Sequence, residues 1–378
     1  MHRSSLMAST SFRLVAALLA VAAAALAVFA LAGRAGDPIA LVRPVVATAP
    51  VTDDPDDPAI WVNRADPVRS LIFGTNKAKA PTGALVAFGL DGAIRQVFAG
   101  LDRPNNVDVE YGLRIGGELV DIVVITERLK SQLRVFRIRP DGSGFVEISA
   151  PGRVGVFKDR SGEEAEPMGI GLYRRPRDGA VFAILSSKTG PRDGYLQEYR
   201  LDDDGTRRVQ ATWVRTFGRF SGATEIEAIA VDDDLGYVYY ADERDGIRKY
   251  HADPDRPDAA RELAHFGLTG FRADREGIAI YARDGKTGYI VCTDQLARSS
   301  EFHVYRREGA PGNPHDHTEL LKMFSGSSDD TDGIEITAEP LPGFPHGMMV
   351  AMNSTPKNFL LYRWDAIAEA GRPTLLLR

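Results

Sequence analysis

Six times along the chain a cluster of acidic or amide residues runs straight into a short apolar stretch. In order these are Asp57-Pro-Ala-Ile60, Asn106-Val-Asp-Val109, Glu166-Pro-Met-Gly-Ile170, Glu227-Ala-Ile-Ala230, Glu276-Gly-Ile-Ala279 and Asp332-Gly-Ile-Glu335. A second series runs in phase with it, an apolar stretch carrying an aromatic: Phe88, Phe136, Tyr199, Tyr250, Tyr305 and Tyr362. The aromatics are separated by 48, 63, 51, 55 and 57 residues. The fourth repeat shows the unit: a strand over Glu225 to Val231, a turn at Asp232 to Gly236, a strand over Tyr237 to Ala241, a turn, then an alternating strand over Ile247 to His251. Fourth strands are predicted at Arg95 to Ala99, Val146 to Ala150, Val209 to Phe217, Arg261 to Phe266 and Leu320 to Phe324, but not after the sixth repeat.

Repeats of this length built from strands predict an all-β fold, a six-bladed β-propeller of four-stranded antiparallel blades, each burying its faces on its neighbours. Val45 to Thr48 is the strand available to complete the last blade, so an N-terminal strand closes the ring and leaves no open edge. The domain reading is a leader at residues 1–32, a linker with the closing strand at 33–50, and the propeller over 51–370.

Antiparallel pairing then sorts residues by face. The first strand of each repeat leaves the acidic cluster, and the second returns to it. The ends of the second strands therefore join the same rim: Asn76-Lys77, Glu127-Arg128, Ser187-Lys188, Asp242-Glu243, Asp294-Gln295 and Asn353-Ser354. Repeats one to three bring cations and four to six bring carboxylates and amides. The acidic half gathers Asp56, Asp57, Glu225, Glu227, Glu243, Asp274, Glu276, Gln295, Asp330, Asp332 and Asn353. These are hard oxygen ligands without His or Cys, which suits Ca²⁺ better than Mg²⁺. The basic half has Lys77, Lys79, Arg128, Lys130, Lys188 and Arg192, a set that favours a polyanionic, phosphate-bearing ligand.

Composition changes little except at the N-terminus. The chain has 378 residues, 44% hydrophobic and 26% charged, ordinary for a globular protein. Arg3 and Arg13 precede an uncharged run from Leu14 to Gly33, with Ala30-Leu31-Ala32 as a small-residue cleavage pattern. About 19 apolar residues fit either a cleaved signal peptide or a membrane anchor over residues 14–33. Both readings export the remainder, to the periplasm or the medium, with the membrane involved only through that segment. Loss of residues 1–32, whose only charges are Arg3 and Arg13, takes the net charge from −6 to −8. Cys292 is the single cysteine, so no internal disulfide forms, and its apolar surroundings read as core. The acidic balance and the lack of a basic stripe argue against nucleic acid. No Gly-x-Ser-x-Gly elbow or P-loop occurs, and His315-Asp316-His317 is spaced too closely for a helical metal pair.

Several motifs resemble the β-propeller phytases in order and spacing. They are Asp56-Asp-Pro-Ala-Ile-Trp-Val62, Gly74-Thr-Asn-Lys77, Asn105-Asn-Val-Asp108, Asp274-Arg-Glu-Gly277, Asp329-Asp-Thr-Asp-Gly-Ile334 and the ending from Phe359 to Ala368. The resemblance implies several calcium ions on one rim of a six-bladed propeller and calcium-dependent hydrolysis of myo-inositol hexakisphosphate by a calcium-bound water. It puts calcium ligands on Asp57, Glu227, Glu243, Asp274, Glu276, Gln295 and Asp332, with Asp56 and Asn353 beside them. Phosphate contacts fall on Lys77, Asn106, Asp108, Arg128 and Lys188, with Arg192 nearby, and the catalytic set is Glu227, Lys77, Arg128 and Lys188. The substrate is phytate or its calcium complex, and a monomer is expected. Two departures stand out: Met168 where the family has a tyrosine, and Gly326 or Ser327 where it has another aspartate. A calcium-dependent propeller lactonase, which leaves the three phased cations unexplained, and a non-enzymatic propeller that binds protein or glycan with calcium purely structural are the competing readings.

Overall fold

The computed structural model describes residues 39–378, and the apolar N-terminal run lies outside them. Among the described residues no helix is long and apolar enough to cross a membrane. Residues 41–378 form one compact unit.

That unit is a ring of six antiparallel sheets. Alternating hydrophobic stretches broken by Gly, Asp and Asn turns cannot bury both faces alone, so each sheet stacks on the next. The first blade holds the strands Pro55–Trp61, Leu71–Asn76, Gly83–Phe88 and Ile94–Leu101. The second has Pro104–Ile115, Glu118–Glu127, Gln132–Ile138 and Phe145–Glu147. The third has Pro167–Arg174, Val181–Ser187, Asp193–Asp203 and Val209–Arg219. The fourth has Ile229–Asp232, Tyr237–Asp242, Gly246–His251 and Ala264–Phe266. The fifth has Ile278–Ala282, Gly288–Asp294, Glu301–Arg306 and Leu320–Ser325. The sixth has Ile334–Thr337, Met348–Asn353 and Asn358–Arg363. Every phased aromatic, from Phe88 to Tyr362, is buried on a third strand.

As expected, the sixth blade takes its outer strand from the N-terminal side. Val46 and Ala47 pair antiparallel with Leu361 and Leu360. Thr48 clamps the join twice: its amide donates to the Phe359 carbonyl at 2.9 Å, and its hydroxyl accepts the Phe359 amide at 3.0 Å. Val42 adds a backbone bond to Ser325 on the fifth blade. Past the helix Trp364–Glu369, the tail lies on the same region, with Leu375 buried and the Leu376 amide on the Tyr289 hydroxyl. Trp364 stacks on Tyr281 at 4.1 Å.

The first strands of all six blades line a central channel of ≈ 310 Å³. One strand begins later than the sequence suggests. In the fourth blade Glu225 and Glu227 precede the strand, which starts at Ile229, and the Glu225 carbonyl accepts the Glu243 amide at 3.3 Å. Both carboxylates are thereby left on an approach loop at the rim.

Closure by a short strand makes a sharp test. Thr48→Pro removes both clamping bonds and should cost about 3 kcal/mol. The expected outcome is a lower thermal midpoint with the far-ultraviolet signature of the sheets retained below it. An unchanged midpoint would mean that closure contributes little.

Candidate active site

Each second strand ends where the rim begins, at Asn76, Glu127, Ser187, Asp242, Asp294 and Asn353. The next residue then makes the same backbone bond in every blade. The amides of Lys77, Arg128, Lys188, Glu243, Gln295 and Ser354 donate to the carbonyls of Asp54, Arg103, Glu166, Glu225, Asp274 and Asp329. Six near-equivalent positions thus circle one mouth of the channel. Three carry cations and three carry acidic, amide or hydroxyl side chains, as the sequence pattern predicts.

The cations are not free. Lys77 Nζ lies 2.5 Å from Asp56 Oδ1 and 3.6 Å from Asp332 Oδ2. Arg128 Nε donates to Glu166 Oε2 at 2.9 Å, and Lys188 pairs with Glu225. Burial alone pulls the Lys77 ammonium down, but Asp56, Glu227 and Asp332 outweigh it and hold it well above the ordinary range. Lys188 shifts the other way, lowered by burial and by the neighbouring Arg128.

Opposite them the carboxylates crowd. One oxygen from each of Glu243, Asp274 and Glu276 lies within 4.8 Å of the others. Burial raises the Glu243 carboxyl to about 8, with Glu227 and Asp274 adding to the rise. Glu276 is raised well above its usual value by burial, then by Glu227, Glu243, Asp332 and Asp274. Asp332 is raised by burial although Lys77 opposes it, and Gln295 Nε2 donates to its Oδ1 at 2.5 Å. Asp57 is raised by burial against the Val107 amide, which its Oδ2 accepts at 3.0 Å. Asp56 is fully buried, and its Oδ2 has no partner. Such a set is out of balance in a low-dielectric mouth, and a hard cation with several open positions is what it fits.

Glu227 joins the two halves. Burial raises its carboxyl, Lys77 opposes the rise, Asp56 adds to it, and Arg128 and Lys188 oppose it again. One carboxylate therefore feels all three cations.

Other candidate residues stand apart from this cluster. Asp108 faces the channel below the rim, where it accepts the Val109 amide at 2.6 Å and the Leu172 amide at 2.7 Å. Burial lifts it to about 7. Asn106 is buried, accepts a bond from Asn105 at 2.8 Å and supports Asp57. Arg192 turns to the Ser221 carbonyl, and Asn353 is occupied by the Asp329 amide and the Asn358 side chain. Met168 is fully buried and offers only its carbonyl, to Thr126. At Gly326 a Cβ would stand 2.9 Å from the Phe302 ring and 3.1 Å from the Tyr362 hydroxyl, so an aspartate there would have to displace these side chains. Within His315-Asp316-His317, His317 meets Lys249 Nζ at 3.1 Å and the Arg306 carbonyl at 2.7 Å, which is packing rather than metal chemistry.

The sequence reading passed over Arg275. On the loop before the fifth blade's first strand it donates to the Glu243 carbonyl at 2.7 Å and twice to the Gly267 carbonyl. It also lies 4.2 Å from the Phe271 ring, which stacks on His303 at 3.9 Å. This buried guanidinium ties the fourth blade's ligand loop to the fifth blade's. Its position between two candidate ligands was the only signal in the sequence.

The architecture and the rim define a six-bladed propeller with a cation-seeking half and an anion-seeking half at one mouth. The family model described as Phytase matches residues 6–375, and the chain belongs to the phytase family. It is 28% identical over 332 residues to the 3-phytase of Bacillus subtilis (strain 168), covering 84% of this chain and 81% of that one. Two solved structures of BBS1N in complex with ARL6DN, soaked with lead or mercury, align at 11% and 10% identity with TM-scores of 0.42 and 0.43. They cover 83% and 87% of this chain and 78% and 80% of theirs, a likeness too slight to add to the argument.

The raised carboxyls set a pH dependence for the metal-free protein. A carboxyl whose folded pKa exceeds its unfolded one binds more protons when folded, so stability is lost as pH rises through the window. For Glu243 that window runs from 4.5 to about 8. In chelator, the thermal midpoint should fall between those limits, and Glu243→Gln should flatten the fall. A midpoint that rises over this range in both proteins would overturn the account of the rim.

Proposed function

We propose that the protein hydrolyses phosphomonoesters of myo-inositol hexakisphosphate, releasing inorganic phosphate, with calcium held by the rim carboxylates. The observation that carries the reading is the meeting of Lys77, Arg128 and Lys188 with Glu227 at one mouth. Three cations beside a carboxylate crowd suit a phosphate ester that arrives together with a hard metal ion. Membership of the phytase family and the 3-phytase relative support the same substrate.

The chain's own residues would act as follows. Lys77, Arg128 and Lys188 exchange Asp56, Glu166 and Glu225 for phosphoryl oxygens, which orients the ester and offsets its charge. Asp57, Glu227, Glu243, Asp274, Glu276 and Asp332, with Gln295 and Asp56, are the groups assigned to hold calcium. When bound, calcium would neutralise these carboxylates, polarise the phosphoryl oxygens and make a water more acidic. Glu227, raised by burial yet within reach of the cations' fields, is the group suited to take up the proton of the attacking water. No histidine belongs to the set, so the reaction needs no acidic medium.

Phosphate release from phytate, measured with and without chelator, tests the reading directly. Chelation should abolish release and lower the thermal midpoint, because ions that bind only the folded state stabilise it. Release that persists in excess EDTA would overturn the calcium assignment.

Arg128→Ala and Lys188→Ala should each lower kcat/KM for phytate by about ten-fold or more, with calcium content intact. Unchanged kinetics in both variants would remove these cations from the site. The activity optimum is expected at neutral pH or above, since protonated carboxylates release the metal. An optimum at about pH 5 or below would contradict the assigned chemistry.

A further inference from the structure

Every second strand ends in a buried side chain, and in five blades that side chain accepts hydrogen bonds from the loop approaching the rim. Asn76 Oδ1 accepts the Asp53 and Asp54 amides at 3.1 and 2.9 Å. Glu127 Oε1 accepts the Asp102 amide at 2.9 Å, and Asn353 Oδ1 the Asp329 amide at 3.0 Å. Asp242 accepts the amide and the hydroxyl of Ser221 at 2.7 and 2.6 Å. Asp294 accepts the Arg272 and Ala273 amides at 2.9 and 2.7 Å, one on each oxygen. In the third blade Ser187 instead donates its hydroxyl to the Thr189 carbonyl.

The fifth blade's anchor lies nearest in sequence to the metal-seeking groups, because Ala273 directly precedes Asp274. The Asp274 carbonyl then accepts the Gln295 amide at 3.0 Å, and the Arg275 amide donates to the Glu243 carbonyl at 3.4 Å. Four consecutive residues, from Arg272 to Arg275, thus each have a backbone group tied down. From this frame Asp274 and Glu276 bring one oxygen each to within 4.8 Å of Glu243 and of one another. Asp294 is fully buried, and the nearest ring nitrogen, His303 Nε2 at 4.0 Å, is beyond hydrogen-bond reach. Neutral amides anchor the first and sixth blades. A carboxylate in the same buried place, close to other carboxylates, is costlier to keep there. What it offers is a charge-assisted acceptor for each of two amides.

We propose that Asp294 is a positioning residue for calcium binding. It holds the loop at 272–276 so that Asp274 and Glu276 meet Glu243, and it acts through the loop's backbone without being a ligand itself. This rests on the calcium assignment within the phytase reading and deepens it.

Calorimetric titration of the chelator-treated protein with calcium alone, below its thermal transition, tests the anchor. Asp294→Asn keeps the shape and one acceptor but turns an NH2 group toward the second amide. At least one calcium-binding step should weaken about ten-fold. Leu375→Ala, which thins the buried packing of the C-terminal tail, is the control for a purely structural loss. Its thermal midpoint should fall while its calcium affinity stays at the wild-type value. Wild-type affinity in Asp294→Asn, or equal weakening in Leu375→Ala, overturns the positioning role. Should Asp294→Asn fail to fold, Asp294→Ser decides on the same readout: weaker binding supports the role and wild-type binding overturns it. Failure of both variants to fold makes Asp294 a structural group and also overturns it. Phosphate release from phytate by the wild type is measured in parallel. Release with an indifferent Asp294→Asn removes only the anchor, whereas no release with weakened calcium binding in Asp294→Asn removes only the phytase reading. No calcium binding by the wild type overturns both.

Discussion

Carboxylates held close together at the mouth of a partly buried channel are the constraint on which the structure turns. Asp57, Glu227, Glu243, Glu276 and Asp332 come from four different blades, and burial makes each of them harder to ionise beside the others. In water such repulsion is weak, but it grows as the effective dielectric falls. The fold must therefore hold the groups together against their own charge until something positive joins them. Lys77 supplies part of that charge from within the protein, and this is why its ammonium is held so firmly.

What resists the repulsion is backbone rather than side chain. The six amide-to-carbonyl bonds at the ends of the second strands pin each approach loop to its own blade. The ring is then closed through Thr48, so no blade can move outward without opening another junction. Arg275 adds a cross-tie between two blades at the densest part of the rim, and it does so through carbonyls. A carboxylate partner there would have competed with the metal-seeking groups. A guanidinium that uses carbonyl acceptors leaves them available.

The two halves of the rim answer different needs with one geometry. Equivalent positions hold Lys77, Arg128 and Lys188 on one side and Glu243 and Gln295 on the other. Since the backbone is nearly the same, the difference in chemistry comes from side-chain identity alone. The ion pairs of Arg128 with Glu166 and Lys188 with Glu225 balance the charge of the basic half from within the protein.

Much of this was legible along the chain. Period-two alternation, turn residues and the in-phase aromatics determine six sheets, because such strands must bury one face on a neighbour. The direction of antiparallel strands determines that Lys77 and Glu243 share a rim. Tertiary structure alone decided how those groups are spent. Asp108 and Asn353 carry the right chemistry, yet their hydrogen bonds are taken by Leu172 and Asp329. The role of Arg275 was invisible because an isolated arginine in a loop looks like solvated surface. Only packing against Phe271 shows otherwise. Sequence spacing fixes which face a residue can reach, because strand geometry is local. Which partner it meets there depends on loops from other blades, and no local pattern records that.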